Sequence, residues 1–169
     1  MGSLVVISGP IGAGKTTLAK ALVEISPAPL ACVEGDDFWR YLAKPRAGGP
    51  RRNIQAIMRA MFRAAAAIAA DDYEAILDFS MPPAFVRAAA ARIPDTPVHY
   101  VELRPALDVC ASRAANRSEG VIGDYAPYAD FYDAFDADDR FVIRNDTRDP
   151  ADVAMEIRAS LAGGRFRVG

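Results

Sequence analysis

Apolar residues along this chain fall into short unbroken runs and longer stretches spaced at three and four, the signatures of buried strands and amphipathic helices. Leu4-Val5-Val6-Ile7 is the first run, mostly β-branched and free of charge, the pattern of a strand covered on both faces. Leu18 to Val23 follows with helical spacing, and Pro27 and Pro29 close it. A second run, Leu30-Ala31-Cys32-Val33-Glu34, leads straight into Gly35-Asp36-Asp37-Phe38-Trp39-Arg40. Ile54, Ile57, Met58, Met61, Phe62 and Ile68 give a predicted helix over 53–70 a broad apolar face, expected in the core. Further strands are predicted at 73–79, 97–103 and 140–143, and further helices at 84–92, at 106–117 and from Asp149-Pro150 to Gly163-Gly164. Tyr128, Phe131 and Phe135 predict one more amphipathic helix within 125–139, and residues 165–169 are expected to fray.

Five strands alternating with helices imply a parallel sheet covered on both faces, with right-handed crossovers: an α/β fold in three layers, α/β/α. At 169 residues the chain suits one domain over 1–169, with no internal repeat or linker.

The first strand and helix are joined by Gly-Pro-Ile-Gly-Ala-Gly-Lys-Thr-Thr at positions 9–17, where Gly9, Gly14, Lys15 and Thr16 satisfy G-x-x-x-x-G-K-[ST]. A helix start leaves backbone N–H groups unpaired and carries partial positive charge, and glycines let the preceding loop curl around an anion. The loop residues Gly9, Ile11, Gly12, Ala13 and Gly14, with Thr17, are thus candidate phosphate contacts. Lys15 reaches β- and γ-phosphates, and the Thr16 hydroxyl suits Mg²⁺. Asp78, at the end of the third predicted strand, suits orientation of that Mg²⁺ through water.

Ligands gather at the carboxyl ends of parallel strands, so Asp36 and Asp37 there read as catalytic or metal-linked, or as a helix cap. The stretch 44–52, with Lys44, Arg46, Arg51 and Arg52 around Gly48-Gly49-Pro50, is either a solvated loop or a surface facing an anionic substrate. Phe38, Trp39 and Phe79 are either apolar walls for an acceptor or core. Arg113 and Arg117, four apart, share a helix face beside a glycine-bearing stretch at 118–127, the makings of a flexible lid, or else pair with nearby carboxylates. His99, the one histidine, lies within a strand and is expected to be structural.

Charge and composition narrow the classes. A net charge of −2 offers no general attraction to nucleic acid or to an anionic membrane. All basic residues but Lys15, Lys20 and Lys44 are arginine, which suits planar recognition of phosphate or carboxylate. Cys32 and Cys110 are expected as small buried hydrophobes in a reducing compartment. The first strand begins almost at once, so no leader is expected; Val6 fails the Met-Gly acylation pattern, and 64–70 is too short to span a bilayer. Neither D-x-x-G nor N-K-x-D occurs, which argues against a GTP-driven switch. A cytoplasmic monomer or homodimer with a small-molecule substrate is the expectation.

With these motifs in hand, the chain resembles the small P-loop kinases related to shikimate kinase, gluconate kinase and chloramphenicol phosphotransferase. The likeness is specific in Gly9–Thr17, fairly specific in Gly35-Asp36-Asp37-Phe38 and loose elsewhere. It implies a strand order 2-3-1-4-5. It implies Asp36 at the acceptor hydroxyl, with Asp37 as the alternative, and Arg113 and Arg117 over the ATP phosphates. It also implies nucleotide contacts from the turn at 145–148, including Asn145 and Arg148. Arg40 is positioned like an early arginine of some relatives. The expected activity is transfer of the γ-phosphoryl group of ATP, with Mg²⁺, to a hydroxyl of a sugar acid, hydroxy acid or antibiotic-like alcohol. Lys15, Asp36 and Arg117 would be catalytic; Thr16, Asp36 and Asp78 would face the metal; Asp37, Phe38, Arg40, Arg52 and Phe79 would face the acceptor. A toxin-like or polynucleotide kinase with the same site, or a nucleotide-binding protein without catalysis, are the alternatives.

Overall fold

A computed structural model describes residues 2–117 and 120–169, without the side chains of 50–52. Five strands, β1 (Ser3–Ser8), β2 (Leu30–Glu34), β3 (Glu74–Asp78), β4 (Val98–Leu103) and β5 (Val142–Ile143), form one parallel sheet in the order β2-β3-β1-β4-β5. β1 is central, and Leu4 to Ile7 are almost wholly buried, as an apolar run covered on both faces demands. Among the described residues the helices α1 (Lys15–Glu24), α2 (Pro50–Ala70), α3 (Pro83–Ala90), α4 (Leu107–Ala115), α5 (Ala129–Asp133) and α6 (Pro150–Ala162) complete a three-layer α/β/α fold. α6 is tied to the rest by Arg158, whose guanidinium donates to Glu74 Oε1 at 2.7 Å and to the Leu22 carbonyl at 3.4 Å. α2 and α3 meet through the edge-to-face rings of Phe62 and Phe85. Among the described residues no helix is long and apolar enough to cross a membrane.

The aligned strand ends bring distant loops together. Register pairs Ile7 with Asp78 and Glu34 with Asp78, so the loop after β1, the turn after β2 and the exit of β3 emerge side by side. Ser8 and Tyr100 hold that exit: the Ser8 hydroxyl donates to the Met81 carbonyl at 2.7 Å and accepts its N–H at 2.8 Å, and the Tyr100 hydroxyl donates to the same carbonyl at 2.9 Å.

Several elements differ from the sequence expectation. The tail does not fray: Phe166 is fully buried, and Tyr100 N–H to Phe166 O and Val168 N–H to Val98 O, both 2.9 Å, add an antiparallel bridge to β4. Burial of one aromatic ring outweighs the usual looseness of a terminus. The region 125–139 is not one amphipathic helix but a 3-10 turn (Ala126–Tyr128), the short α5 and a loop carrying buried Phe135 and Ala137 inward. Its closely spaced aspartates are poor helix formers. α4 ends at Ala115, so Arg117 lies beyond it, and α2 begins at Pro50, which shortens the expected substrate loop. Cys32 is exposed because β2 is an edge strand, whereas Cys110 is buried; both thiols are free.

Candidate active site

The carboxyl ends of the strands open into one cavity of about 1180 Å³. The glycine loop forms its floor, and its shape is set from outside. Gly14 takes φ +93° as the residue before α1. Gly12 lies so close to α4 that a Cβ would stand 2.2 Å from the Cys110 carbonyl oxygen, at φ +82°, so only glycine fits. The carbonyls of the loop are tied to its surroundings. Gly9 O accepts from Ser80 Oγ at 2.8 Å, and Ile11 O from the Tyr125 hydroxyl at 2.7 Å. Ala13 O accepts from Asn145 Nδ2 at 2.9 Å and from Arg113 at 3.4 Å. With its carbonyls committed to these donors, the loop keeps its amide dipoles for an anion.

Arg113 does more than touch the loop. Its guanidinium also donates to the carbonyls of Asn145 at 2.9 Å and Asp146 at 2.8 Å, joining α4 to the turn after β5. Asn145 Oδ1 is buried beside the cavity without a hydrogen-bond partner among the described residues, an acceptor that suits a donor group on a bound ligand.

Lys15 lines the cavity and donates to the Pro10 carbonyl at 3.0 Å. Burial pulls its ammonium down to about 8; Asp78 and Asp36 oppose that shift, and Arg117 adds to it. Burial pushes the Asp78 carboxyl above the ordinary carboxylate range, against a hydrogen bond from Thr16 and the charge of Lys15. Thr16 and Asp78 thus lie near each other at the cavity wall, an arrangement that suits a divalent cation held by one hydroxyl, carboxylates through water, and phosphate oxygens. No group of three or more His, Cys, Asp or Glu side chains suited to a metal ion occurs among the described residues.

The structure brings Ile11, Gly12, Gly14, Lys15, Thr16 and Thr17 to the cavity wall together with Asp36, Asp78, Phe79, Arg113, Arg117, Asn145 and Arg148. Ala13 is wholly buried beneath the loop, and Gly9 packs against the Leu103 carbonyl. Three residues expected near the acceptor lie outside the wall. Asp37 and Arg40 form an exposed ion pair of 3.2 Å one 3-10 turn beyond Asp36, and Phe38 packs edge-on against Tyr41. The tight turn Gly35–Tyr41 separates neighbouring side chains, so Asp36 faces the cavity and Asp37 faces solvent. The Arg52 side chain lies outside the described residues.

Sequence reasoning missed the seam between the lid region and the loop. Cys110, Ala114 and Tyr125 form a small apolar cluster of their own, packed against Ile11 and Ile122. It also missed Ile54, Met58, Pro82, Ile122 and Phe131 as cavity walls. Helical spacing of Ile54 and Met58 identified an inward face but not whether core or cavity lay beneath it. Gly35 was a usable signal: a Cβ there would stand 2.6 Å from the Phe79 ring, so that ring is seated against the backbone beside Asp36.

Residues 4–127 match the AAA domain family. No curated protein matches the chain by sequence. Solved structures match it in fold. A tunicamycin resistance protein of Deinococcus radiodurans is 19% identical, with 95% of this chain and 96% of that one covered at a TM-score of 0.74. An unliganded sugar kinase from Janibacter is 19% identical over 96% and 95%, at 0.71. The Mycobacterium tuberculosis APS kinase in complex with AMPPNP and APS is 16% identical over 95% and 98%, at 0.71. At these identities the likeness shows the fold alone, a P-loop NTPase-like α/β architecture with strand order 2-3-1-4-5.

Proposed function

The chain belongs to the AAA domain family, and on that premise we propose that it is a kinase that moves the γ-phosphoryl group of ATP to a hydroxyl of a small molecule. One observation carries the reading: a single cavity is lined by the glycine loop with Lys15, by Thr16 and Asp78, and by Asp36 and Arg117. A phosphate floor, a cation seat, a carboxylate and an arginine are what in-line phosphoryl transfer requires. The kinases among the structural neighbours support the same chemistry.

The loop amides and Lys15 hold the β- and γ-phosphates. Thr16 and, through water, Asp78 would hold Mg²⁺, which neutralises charge on the phosphate oxygens. Asp36 accepts a hydrogen bond from the acceptor hydroxyl, aims its oxygen at the γ-phosphorus and takes its proton as the new bond forms. Arg117, exposed at the cavity wall and close enough to bear on Lys15, closes onto the charge that spreads over the moving phosphoryl group. Asn145 and Arg148 contact the nucleotide. Asp37 takes no part, since it is paired with Arg40 in solvent.

The test is Asp36→Asn, measured by acceptor-dependent ADP release over a panel of alcohols, with Mg-ADP binding as the control. Turnover is expected to fall by about 10²–10⁴ with nucleotide affinity kept. Full activity in the purified variant rejects the assignment of Asp36, and Asp37→Asn is expected to be close to neutral.

A further inference from the structure

Near the end of β4, one residue before the Leu103 carbonyl that abuts Gly9, Glu102 is wholly buried and stands opposite Ser8 in the sheet register. We infer that Glu102 is a neutral carboxylic acid in the folded protein, and that its O–H group completes the hydrogen-bond chain pinning the exit of β3.

The proton count around Met81 sets the charge of Glu102. Three contacts between oxygens meet there: Ser8 Oγ to the Met81 carbonyl at 2.7 Å, the Tyr100 hydroxyl to the same carbonyl at 2.9 Å, and that hydroxyl to Glu102 Oε2 at 3.2 Å. Each contact needs a proton between its oxygens. The carbonyl has none, and the Ser8 and Tyr100 hydroxyls bring one each. An ionised Glu102 would leave one contact as bare oxygen against oxygen. A protonated Glu102 donates to Tyr100, whose own proton then goes to Met81. The distance agrees, because a hydroxyl donating to a carboxylate draws in to about 2.5–2.7 Å, well short of the Tyr100–Glu102 separation.

The surrounding charges do little for a carboxylate at this point. Arg104 stands 4.0 Å from Oε1, beyond hydrogen-bond reach, and is shared with Asp136 at 3.9 Å and with the face of the Tyr132 ring. Oε1 has no hydrogen-bond partner among the described residues, and the register partner on β5 is the apolar Val142. A carboxylate so placed keeps most of its desolvation cost. Burial accordingly pushes the Glu102 carboxyl above the ordinary range and Asp136 adds to it, while Tyr100, Arg104 and the Ala137 N–H oppose. Burial pushes the Tyr100 phenol up as well, against Ser8 and Arg87, so it keeps its proton. What the chain pins is cavity wall: Phe79 N–H donates to the Ile7 carbonyl at 3.3 Å and Ser80 Oγ to Gly9 O at 2.8 Å, and Met81 is the next fixed point. On ionisation Glu102 would claim the Tyr100 proton and leave the Met81 carbonyl to Ser8 alone.

Glu102→Gln keeps a donor and an acceptor but cannot ionise. The full chain and this variant are unfolded in urea at a series of pH values upward from 4.5, the ordinary value of a glutamate. A glutamate held neutral by the fold costs stability as pH rises above that value, since the unfolded chain releases the proton and the folded one does not. The folding equilibrium constant of the unmodified protein is expected to fall relative to the variant by about tenfold per pH unit, continuing past pH 7. Ionisations elsewhere are common to both proteins and cancel. A gap that stops growing below pH 7 overturns the inference, as does a variant that is the less stable one with a gap closing on acidification, the behaviour of an ion pair with Arg104. Should the variant fail to fold, carbon-13 NMR of the unmodified protein labelled at its glutamate carboxyls gives the answer. A resonance at the position of a protonated acid at pH 7 is expected, Glu102 being the wholly buried glutamate among the described residues, and its absence overturns the inference. Neither measurement depends on what the cavity binds, so the kinase reading stands or falls separately.

Discussion

The two ends of this cavity are held in place by different forces. At the nucleotide end, hydrogen bonds cross between elements distant in sequence: Tyr125 to Ile11, Asn145 and Arg113 to Ala13, Arg113 to the turn after β5, and Ser80 to Gly9. Beside the turn Gly35–Tyr41 the walls are Ile54, Met58 and Phe79, and a polar brace is Asn53, whose amide ties the backbone of Arg46 and Gly49 to the start of α2. A braced phosphate site is already shaped before its ligand arrives, so little binding energy goes into ordering it. An apolar wall specifies size and polarity but exchanges its side chains without disturbing the chemistry.

The sharpest test of where the boundary runs is Arg117→Ala. It should lower kcat by about 10³ while Mg-ADP affinity changes only a few-fold, because the arginine acts on charge that develops during transfer. An equal loss of nucleotide binding would move Arg117 to the braced end. Arg113→Ala should do the reverse. Hydrogen bonds from a charged group contribute about 1.5–3 kcal/mol, so both the melting midpoint and nucleotide affinity should drop, with the acceptor KM unchanged. An altered acceptor KM would show that the two ends are mechanically coupled.

A third test uses pH. Lys15 titrates at about 8 in the ligand-free protein because burial penalises its charge. Above that pH the free protein loses the cation, and kcat/KM for ATP should fall about tenfold per unit. Fold stability should move the other way over the same window. The unfolded chain keeps the proton up to its ordinary value of 10.5, so the cost of the buried cation, present at lower pH, is relieved as pH rises from about 8. A flat ATP profile up to pH 10 would rule out this state of Lys15. The smallest effect is expected from Tyr125→Phe, which removes one hydrogen bond to Ile11 and should weaken nucleotide binding by about 1 kcal/mol without altering acceptor discrimination.

The glycine loop was legible because its function is local: a strand, a turn and a helix start within 9–17 place the ligating groups by backbone geometry alone. Asp36 and Asp78 were legible for a related reason, since the ends of parallel strands lie together in any such sheet. That Asp36 lines the cavity while Asp37 pairs with Arg40 outside it was not, because a 3-10 turn rather than an α-helix carries them and sends adjacent side chains apart. The tail was misjudged because Phe166 is recognisable as an anchor only once β4 offers an open edge.

Periodicity and a nine-residue motif by themselves determined the layers, the position of the phosphate loop and the candidate pair of strand-end carboxylates, all of which depend on near neighbours in the chain. Tertiary structure alone decided that α4 presses on Gly12, that Arg113 braces while Arg117 stands exposed at the cavity, and that Ile54 and Met58 of α2 line that cavity. Those facts join residues up to about a hundred positions apart, such as Arg113 and Ala13, and no local pattern encodes which distant side chains a packed core brings together.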